Sequence, residues 1–184
     1  MQVINVLVQY YPLFFQALGV TLKMTVVSLI AATVLGTIFG LFKVSGMGIL
    51  KVIADIYIDI IRGTPLMVQV FIIYYGLGSV LKPYGFSWNA IGGASTAGMV
   101  ALSLNAGAYM AEIIRGGIEA VDKGQMEAAR SLGLPYGKAM RKIILPQAFR
   151  TMMPSIINQF IITLKDTSLV SVIGPRELTQ NGKI

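Results

Sequence analysis

One apolar stretch near the end of the chain contains polar and charged side chains. Lys165 and Asp166 are adjacent, and Asn158, Gln159 and Thr163 precede them by one or two helical turns. An ionisable side chain inside a membrane span is energetically costly, so it is a functional candidate by default. Asp166 could pair with a substrate ammonium and Lys165 with a carboxylate. The alternative is an internal ion pair, or a gate contact, that only positions helices.

A second candidate for a substrate path is a break in an apolar segment at Gly63-Thr64-Pro65. Proline lacks an amide proton, and broken helices in transporters often line the substrate path. Leu66, Met67 and Gln69 would follow the break into a pore, although a proline kink is equally common as mere packing. Asn105 is an amide in another apolar stretch, and we expect it to face protein or a cavity, or to bridge helices.

Composition requires that these side chains be carried by membrane-spanning helices. The 184 residues are 55% hydrophobic and 12% charged, with a mean hydropathy of +0.72. Residues 24–42, 63–81 and 83–111 contain no charge, and about 20 helical residues cross a hydrocarbon core of ~30 Å. The sequence therefore predicts an all-α integral membrane protein rather than a soluble helical protein.

Four spans are predicted in a single transmembrane domain that covers the whole chain, 1–184. They lie at about 14–42, 63–81, 96–114 and 151–174. Residues 1–22 are expected to form an interfacial helix or a lead-in to the first span, and residues 43–62 a short loop. Glu112 and Arg115, three apart near the end of the third span, are expected to form a salt bridge.

Small residues recur at every fourth position in two of these spans, a pattern that lets helix backbones approach closely in lipid. The pattern indicates either packing within one chain or a dimer face. The residues are Ala32, Gly36 and Gly40 in the first span, and Ser103, Gly107 and Ala111 in the third.

The distribution of basic residues predicts the orientation. Segments 43–62 and 115–150 hold three and seven of the 15 Lys and Arg residues, whereas the opposite side holds four. The positive-inside rule places both segments in the cytoplasm and the N-terminus outside. The basic excess needs no nucleic-acid partner, because the longer segment offers only Tyr136 and Phe149 for base stacking.

Several kinds of chemistry are excluded. The sequence has no Cys and no His, which removes thiolate catalysis, the commonest metal ligand and the commonest general base. Carboxylates at catalytic spacing and a Gly-x-Ser-x-Gly elbow are also absent, so we expect neither an enzyme nor a metal site. The segment from Gly133 to Ala139 lacks the spacing and the Ser or Thr of a phosphate-binding loop.

The polar segment of about 115–150 is predicted to fold as a cytoplasmic helical hairpin. Its first helix covers about 124–132, because Gly133 suits a left-handed position after the helix and a proline follows. A second helix begins at about 136 and is expected to end near Pro146. Ala128 and Ala129 offer a low-profile surface that could enter a groove of a partner.

The spacing of Glu127-Ala128-Ala129, Gly133 and Ile143-x-Leu145-Pro146 resembles the EAA loop of the permeases of ATP-binding-cassette importers. Three flanking segments make the chain similar to the polar amino-acid uptake family, whose permeases include those for histidine, arginine, glutamine and glutamate. These segments are 62–69, 109–117 and 164–169.

The resemblance implies a MetI-like transmembrane domain in the bacterial cell (inner) membrane that imports polar or charged L-amino acids. It implies an ATPase subunit that binds ATP and Mg, an extracellular or periplasmic amino-acid-binding protein, and a second permease, with a homodimer favoured. No cofactor is implied for this chain. The ATPase contacts carried over are Glu127, Ala128, Ala129 and Gly133, with Arg130 beside them.

The family pattern also implies five spans, whereas four are visible before Ile184. We therefore expect the chain to be part of a longer permease. The alternative function is an amino-acid carrier or small channel driven by an ion gradient. Such proteins often show internal repeats and proton-relay carboxylates, and here no repeat is seen and only Asp166 lies deep in a span.

Overall fold

The computed structural model describes residues 2–182, with side chains from Tyr10 onward, and this part is predominantly helical. The α-helices in chain order are α1 (Gln2–Val44), α2 (Gly48–Arg62), α3 (Leu66–Phe71), α4 (Gly78–Leu81), α5 (Gly93–Glu119), α6 (Lys123–Ser131), α7 (Tyr136–Ala139), α8 (Leu145–Val170) and α9 (Leu178–Asn181). A π-helical turn joins α3 to α4 and another joins α7 to α8, so each pair forms one continuous helix.

Within the described residues, four helical segments are long and apolar enough to cross a membrane. We call them spans 1 to 4; they are Tyr10–Val44, Leu66–Tyr84, Gly93–Glu119 and Tyr136–Ile173. Each overlaps one predicted span, which confirms the all-α membrane fold. Residues 2–22 belong to the same helix as span 1, as the lead-in alternative predicted.

The predicted loop at 43–62 is wrong, because most of it forms α2. Ala54 and Ile58 are buried against Ala108 and Ala111 of span 3, four residues apart as a helical face requires. Asp55, which lies between them, and Asp59, which follows Ile58, hid this short apolar face. α2 therefore leads directly to the break before span 2.

The second hairpin helix does not end near Pro146, which corrects the prediction. The helix continues from residue 136 to 170. A proline removes one backbone hydrogen bond and its ring clashes with the carbonyl four residues earlier. The π-helical turn Met140–Ile144 lies directly before Pro146, and its wider backbone accommodates the ring without ending the helix.

Spans 1 and 3 share the most extensive contact among the described helices, and small residues make it possible. A Cβ added at Gly36 would lie 2.5 Å from the Cβ of Met110, and one added at Gly107 would lie 3.1 Å from the Cβ of Leu35. The small-residue faces therefore pack within this chain. This was the first of the two predicted alternatives.

The far end of span 2 is fixed by a buried tryptophan. The indole Nε1 of Trp88 donates to the backbone carbonyl of Tyr74 at 3.0 Å. Trp88 also packs in a core cluster with Val70, Leu102 and Val170, which come from spans 2, 3 and 4. This cluster packs spans 2, 3 and 4 together on one side of the break at residues 63–65.

Candidate functional site

A cavity of about 540 Å³ lies where α2 ends and span 2 begins. Spans 3 and 4 form its other walls. Its lining residues are Arg62, Gly63, Thr64, Pro65, Leu66, Asn105, Tyr109, Gln159, Ile162 and Asp166.

The break itself is held by Gln69, which the sequence placed after the break in the pore but which does not line the cavity. Its amide Nε2 donates to the backbone carbonyls of Ile61 at 2.7 Å and Thr64 at 2.9 Å. Its Oε1 accepts a hydrogen bond from the Nδ2 of Asn105 at 3.1 Å. One buried amide thus bonds two carbonyls that lack the helical N–H donor four residues later, since Pro65 has no N–H and the N–H of Val68 bonds to Pro65, and it ties the break to span 3. The signal in the sequence was an amide four residues after Pro65 in an apolar segment.

The structure brings four of the predicted substrate residues together in the cavity lining: Leu66, Asn105, Gln159 and Asp166. Asp166 is half-buried. Within residues 10–182 it makes neither an ion pair nor a side-chain hydrogen bond, so its carboxylate is free to bind a ligand. Thr163 is buried beside Gln159 and donates its hydroxyl to the Gln159 carbonyl at 2.9 Å.

The other predicted residues lie elsewhere. Met67, Asn158 and Lys165 are exposed and do not line the cavity. Lys165 is next to Asp166 in sequence but projects from a different side of the helix, since adjacent residues are about 100° apart. A role for these three in substrate binding stays a prediction.

Two lining residues, Arg62 and Tyr109, were not predicted as site residues. The Arg62 guanidinium lies over the Tyr109 ring, 5.2 Å from its centroid. Arg62 begins segment 62–69 and Tyr109 begins segment 109–117, and both segments carry the family resemblance. Their position in these segments was the signal that could have indicated them as site residues. Both residues also line a second cavity of about 370 Å³, which includes Glu112 and Met152. They therefore separate the two cavities.

An ion-pair network centred on Glu112 lies next to this second cavity. The Glu112 carboxylate is 2.7 Å from the Nζ of Lys43 and 2.8 Å from a guanidinium nitrogen of Arg115. Lys43 also pairs with Asp55 at 2.9 Å, and Arg115 pairs with Glu119. The predicted salt bridge between Glu112 and Arg115 is confirmed. The network further joins spans 1 and 3 to α2.

A tyrosine also fixes α2 on span 3. The hydroxyl of Tyr57 donates to the backbone carbonyl of Leu104 at 2.7 Å. Burial disfavours the charged phenolate and raises the pKa of Tyr57 to about 12. The side chain therefore remains a protonated donor at neutral pH.

The hairpin after span 3 has well-defined helix ends. The carboxylate of Asp122 accepts a hydrogen bond from the backbone N–H of Gly124 at 2.6 Å and caps the N-terminus of α6. At the other end Gly133 has φ 81°, and the N–H of Leu134 bonds to the carbonyl of Ala129 at 3.1 Å. This is the six-to-one bond of a Schellman motif, and the predicted left-handed conformation of Gly133 is confirmed.

The two alanines of the hairpin differ in exposure. Ala128 is exposed, together with Glu127 and Arg130, whereas Ala129 is only 2% exposed. The predicted low-profile surface is therefore formed by Ala128 alone. Ala129 is covered because the second helix of the hairpin folds back against α6.

A hydrophobic cluster connects the hairpin to the spans. Met126 of α6 packs with Met140 and Ile144, and these residues reach Ile118 of span 3 and Met152 of span 4. The hairpin is therefore rigidly continuous with two of the cavity walls. Within the residues that the structure describes, no group of acidic side chains could hold a metal ion.

This arrangement of membrane spans, a polar cavity at a broken helix and an attached surface hairpin defines a membrane transport subunit. Residues 32–180 match the family model described as the inner membrane component of binding-protein-dependent transport systems. The chain belongs to this family, and is thus a multi-pass permease subunit of an ATP-binding-cassette importer.

Similar proteins agree with this assignment. The chain is 46% identical to the arginine transport system permease protein ArtQ of Bacillus subtilis (strain 168), over 89% of this chain and 71% of that protein. A solved amino acid ABC transporter with histidines is 44% identical, with a TM-score of 0.87 over 97% of this chain and 80% of that one. A methionine transporter, MetNI, is 22% identical and shares the fold, with a TM-score of 0.76 over 95% and 80%. These findings favour the importer over the ion-driven carrier.

Proposed function

We propose that this permease subunit moves a polar L-amino acid through the cavity between α2 and spans 2 to 4. The observation that carries the proposal is the unpaired Asp166 carboxylate beside the neutral amides of Asn105 and Gln159. A carboxylate without a cationic partner suits an ammonium ligand, because that ligand supplies the missing charge. The relatives named for arginine and for amino acids support this substrate class.

The proposed docking site for the ATPase is the exposed surface of the hairpin. Glu127, Ala128 and Arg130 present side chains to a partner, while Ala129 and Gly133 set the shape of the hairpin. A groove on the ATPase would receive α6 at the small Ala128. ATP and Mg would bind the ATPase, and this chain would need no cofactor of its own.

The proposed assembly contains two permease copies, two ATPase subunits and an external amino-acid-binding protein. Span 2 begins at the cavity and exposes large apolar residues along its length, among them Met67, Phe71 and Tyr75, which a second copy would cover. The hairpin would face the cytoplasm and the N-terminus the exterior, since segments 43–62 and 115–150 together hold ten of the 15 Lys and Arg residues.

In this assembly the coupling is mechanical. ATP-driven closure of the ATPase subunits would draw the two hairpins together and open the cavity outward. Hydrolysis would then restore the inward-facing state. The hydrophobic cluster at Met126 supports this proposal, because it connects α6 to spans 3 and 4, which carry Asn105 and Asp166.

The proposal is tested by reconstituting the permease with its ATPase and binding protein in liposomes. ATP-dependent uptake of labelled glutamine, arginine, histidine and glutamate is then measured for the natural protein and for Asp166→Asn. We expect uptake of at least one of them, and a loss of roughly 10-fold or more in the variant, as removal of a charge-assisted hydrogen bond implies. Lys23→Gln changes a charge outside the cavity lining and serves as the control.

An unchanged uptake in Asp166→Asn, with every other component active, would contradict the assignment of the cavity. A complex that transports none of the amino acids but does transport another solute would contradict the substrate class. A variant Glu127→Ala that still binds substrate but no longer couples ATP hydrolysis to uptake would support the docking surface. Coupling that survives both Glu127→Ala and Ala128→Trp would contradict it.

A further inference from the structure

We propose that Arg62 binds the carboxylate of the substrate and thereby selects amino acids over amines. This inference rests on the proposed amino-acid substrate. It assigns the cationic end of the site to a residue at the end of α2, not to Lys165, for which the sequence had predicted this role.

The first observation is that Arg62 has spare hydrogen-bonding capacity. A guanidinium carries five N–H donors, and within residues 10–182 the Arg62 side chain makes no hydrogen bond. Its one ion pair, with Glu112, has an N···O distance of 3.7 Å, which is beyond hydrogen-bond range.

The second observation is that Glu112 is already satisfied by other cations. Its Oε1 lies 2.7 Å from Lys43, and its Oε2 accepts hydrogen bonds from Arg115 at 2.8 and 3.1 Å. Arg62 therefore contributes least to this network and is the cation most easily released from it. A ligand carboxylate would accept hydrogen bonds from the N–H groups of the Arg62 guanidinium, and no short ion pair would have to break.

The third observation is that the Arg62 guanidinium lies over Tyr109 at the cavity. The ring lies 5.2 Å from the central carbon of Arg62, and both residues line the cavity. Stacking on an aromatic face uses the flat side of a guanidinium and leaves its N–H edge free for a planar carboxylate.

The fourth observation is the balance of charge in the cavity lining. Arg62 and Asp166 are the two charged residues among the described residues that line it, and they carry opposite signs. An α-amino acid zwitterion has the matching pair of charges, so one ligand neutralises both ends. Lys165 is exposed and does not belong to this lining.

The test compares each amino acid with its α-carboxamide, which keeps the ammonium and removes the negative charge. Binding of L-arginine and L-argininamide, and of L-glutamine and L-glutaminamide, is measured on the purified permease–ATPase complex. The binding protein is omitted because it selects ligands itself. We expect the natural complex to prefer the carboxylate by roughly 10- to 100-fold, the range for a charge-assisted hydrogen bond.

In Arg62→Gln this preference should fall to less than about 3-fold, while the affinity for the carboxamide stays nearly constant. Lys165→Gln should keep the full preference. Arg62→Met, which retains an unbranched apolar stem over Tyr109, gives the same readout if the glutamine variant does not assemble. A merely structural role of Arg62 would weaken the binding of carboxylate and carboxamide alike.

A preference that survives in Arg62→Gln or Arg62→Met overturns the inference, and so does its loss in Lys165→Gln. Neither outcome affects the proposed function, since an amino acid would still bind. A natural complex that binds none of the amino acids would instead remove the proposed function, and this inference with it.

Discussion

The contact between spans 1 and 3 allows a stability prediction with a worked magnitude. In Gly36→Ala the added Cβ would lie 2.5 Å from the Cβ and 2.6 Å from the Cγ of Met110. Carbon atoms that are not bonded prefer about 3.5–4.0 Å. The Cβ of Met110 is fixed by the backbone, so no rotamer change relieves the clash. The two spans must instead move apart by about 1 Å.

The expected cost follows from two terms. Overpacking of this kind costs about 1–3 kcal/mol, whereas alanine favours a helix over glycine by up to about 1 kcal/mol. Gly19→Ala is the matched control, because Gly19 lies in the same helix and has no atom within 4 Å of an added Cβ. The helix preference is common to both variants, so Gly36→Ala should be less stable than Gly19→Ala by the overpacking cost alone.

The assay is thermal unfolding of the two purified variants in the same detergent. One kcal/mol shifts the midpoint by about 2–4 °C in a chain of this size. Gly36→Ala should therefore melt roughly 2–12 °C below Gly19→Ala. Equal midpoints would show that spans 1 and 3 do not approach at Gly36, and the packing described for the small-residue faces would be wrong.

Three further predictions concern the elements around the cavity. The stabilising effect of Tyr57 on folding should be fully present below pH 10 and be lost as the pH rises toward 12, because burial raises its pKa from 10.0 to about 12; alkaline unfolding of Tyr57→Phe should lack this dependence. Gln69→Leu leaves two carbonyls and the Asn105 amide without their partner, so it should lower the free energy of unfolding by about 2–5 kcal/mol, whereas Gln147→Leu, at an exposed position, should cost under about 1 kcal/mol. Gly133→Ala forces alanine to φ 81° and should destabilise the hairpin by about 1–2 kcal/mol, seen as faster amide hydrogen exchange in α6; unchanged exchange would contradict the capping described here.

Patterns that depend on one helix were predictable from the sequence. The charge-free stretches located spans 1 to 3, and Gly133 marked the end of α6 because only one residue type tolerates that backbone conformation well. The pair Glu112 and Arg115 follows from helical spacing alone. In each case the residues that determine the feature are close to one another in the sequence.

Features that depend on contacts between helices were not predictable in this way. The role of Gln69 requires knowing that Pro65 deprives the carbonyl of Ile61, eight residues before Gln69, of its helical N–H donor. From the sequence, Arg62 was only one of the basic residues that place segment 43–62 in the cytoplasm. No pattern in a single sequence indicates that its guanidinium lies over the ring of Tyr109. Continuation of the helix through Pro146 depends on a π-helical turn, for which sequence patterns give little signal.

The cavity sits between two points where spans 3 and 4 are closely packed. On one side of it a Cβ at Gly98 would lie 2.2 Å from the Cγ1 of Val170, and on the other a Cβ at Gly117 would lie 2.9 Å from the Cβ of Met152. Interiors packed this tightly resist deformation, so we expect spans 3 and 4 to move together in the proposed transport cycle. The wall that changes in that cycle would then be the opposite one, formed by α2 and the break. Arg62, the proposed contact for the substrate carboxylate, lies on this same short segment.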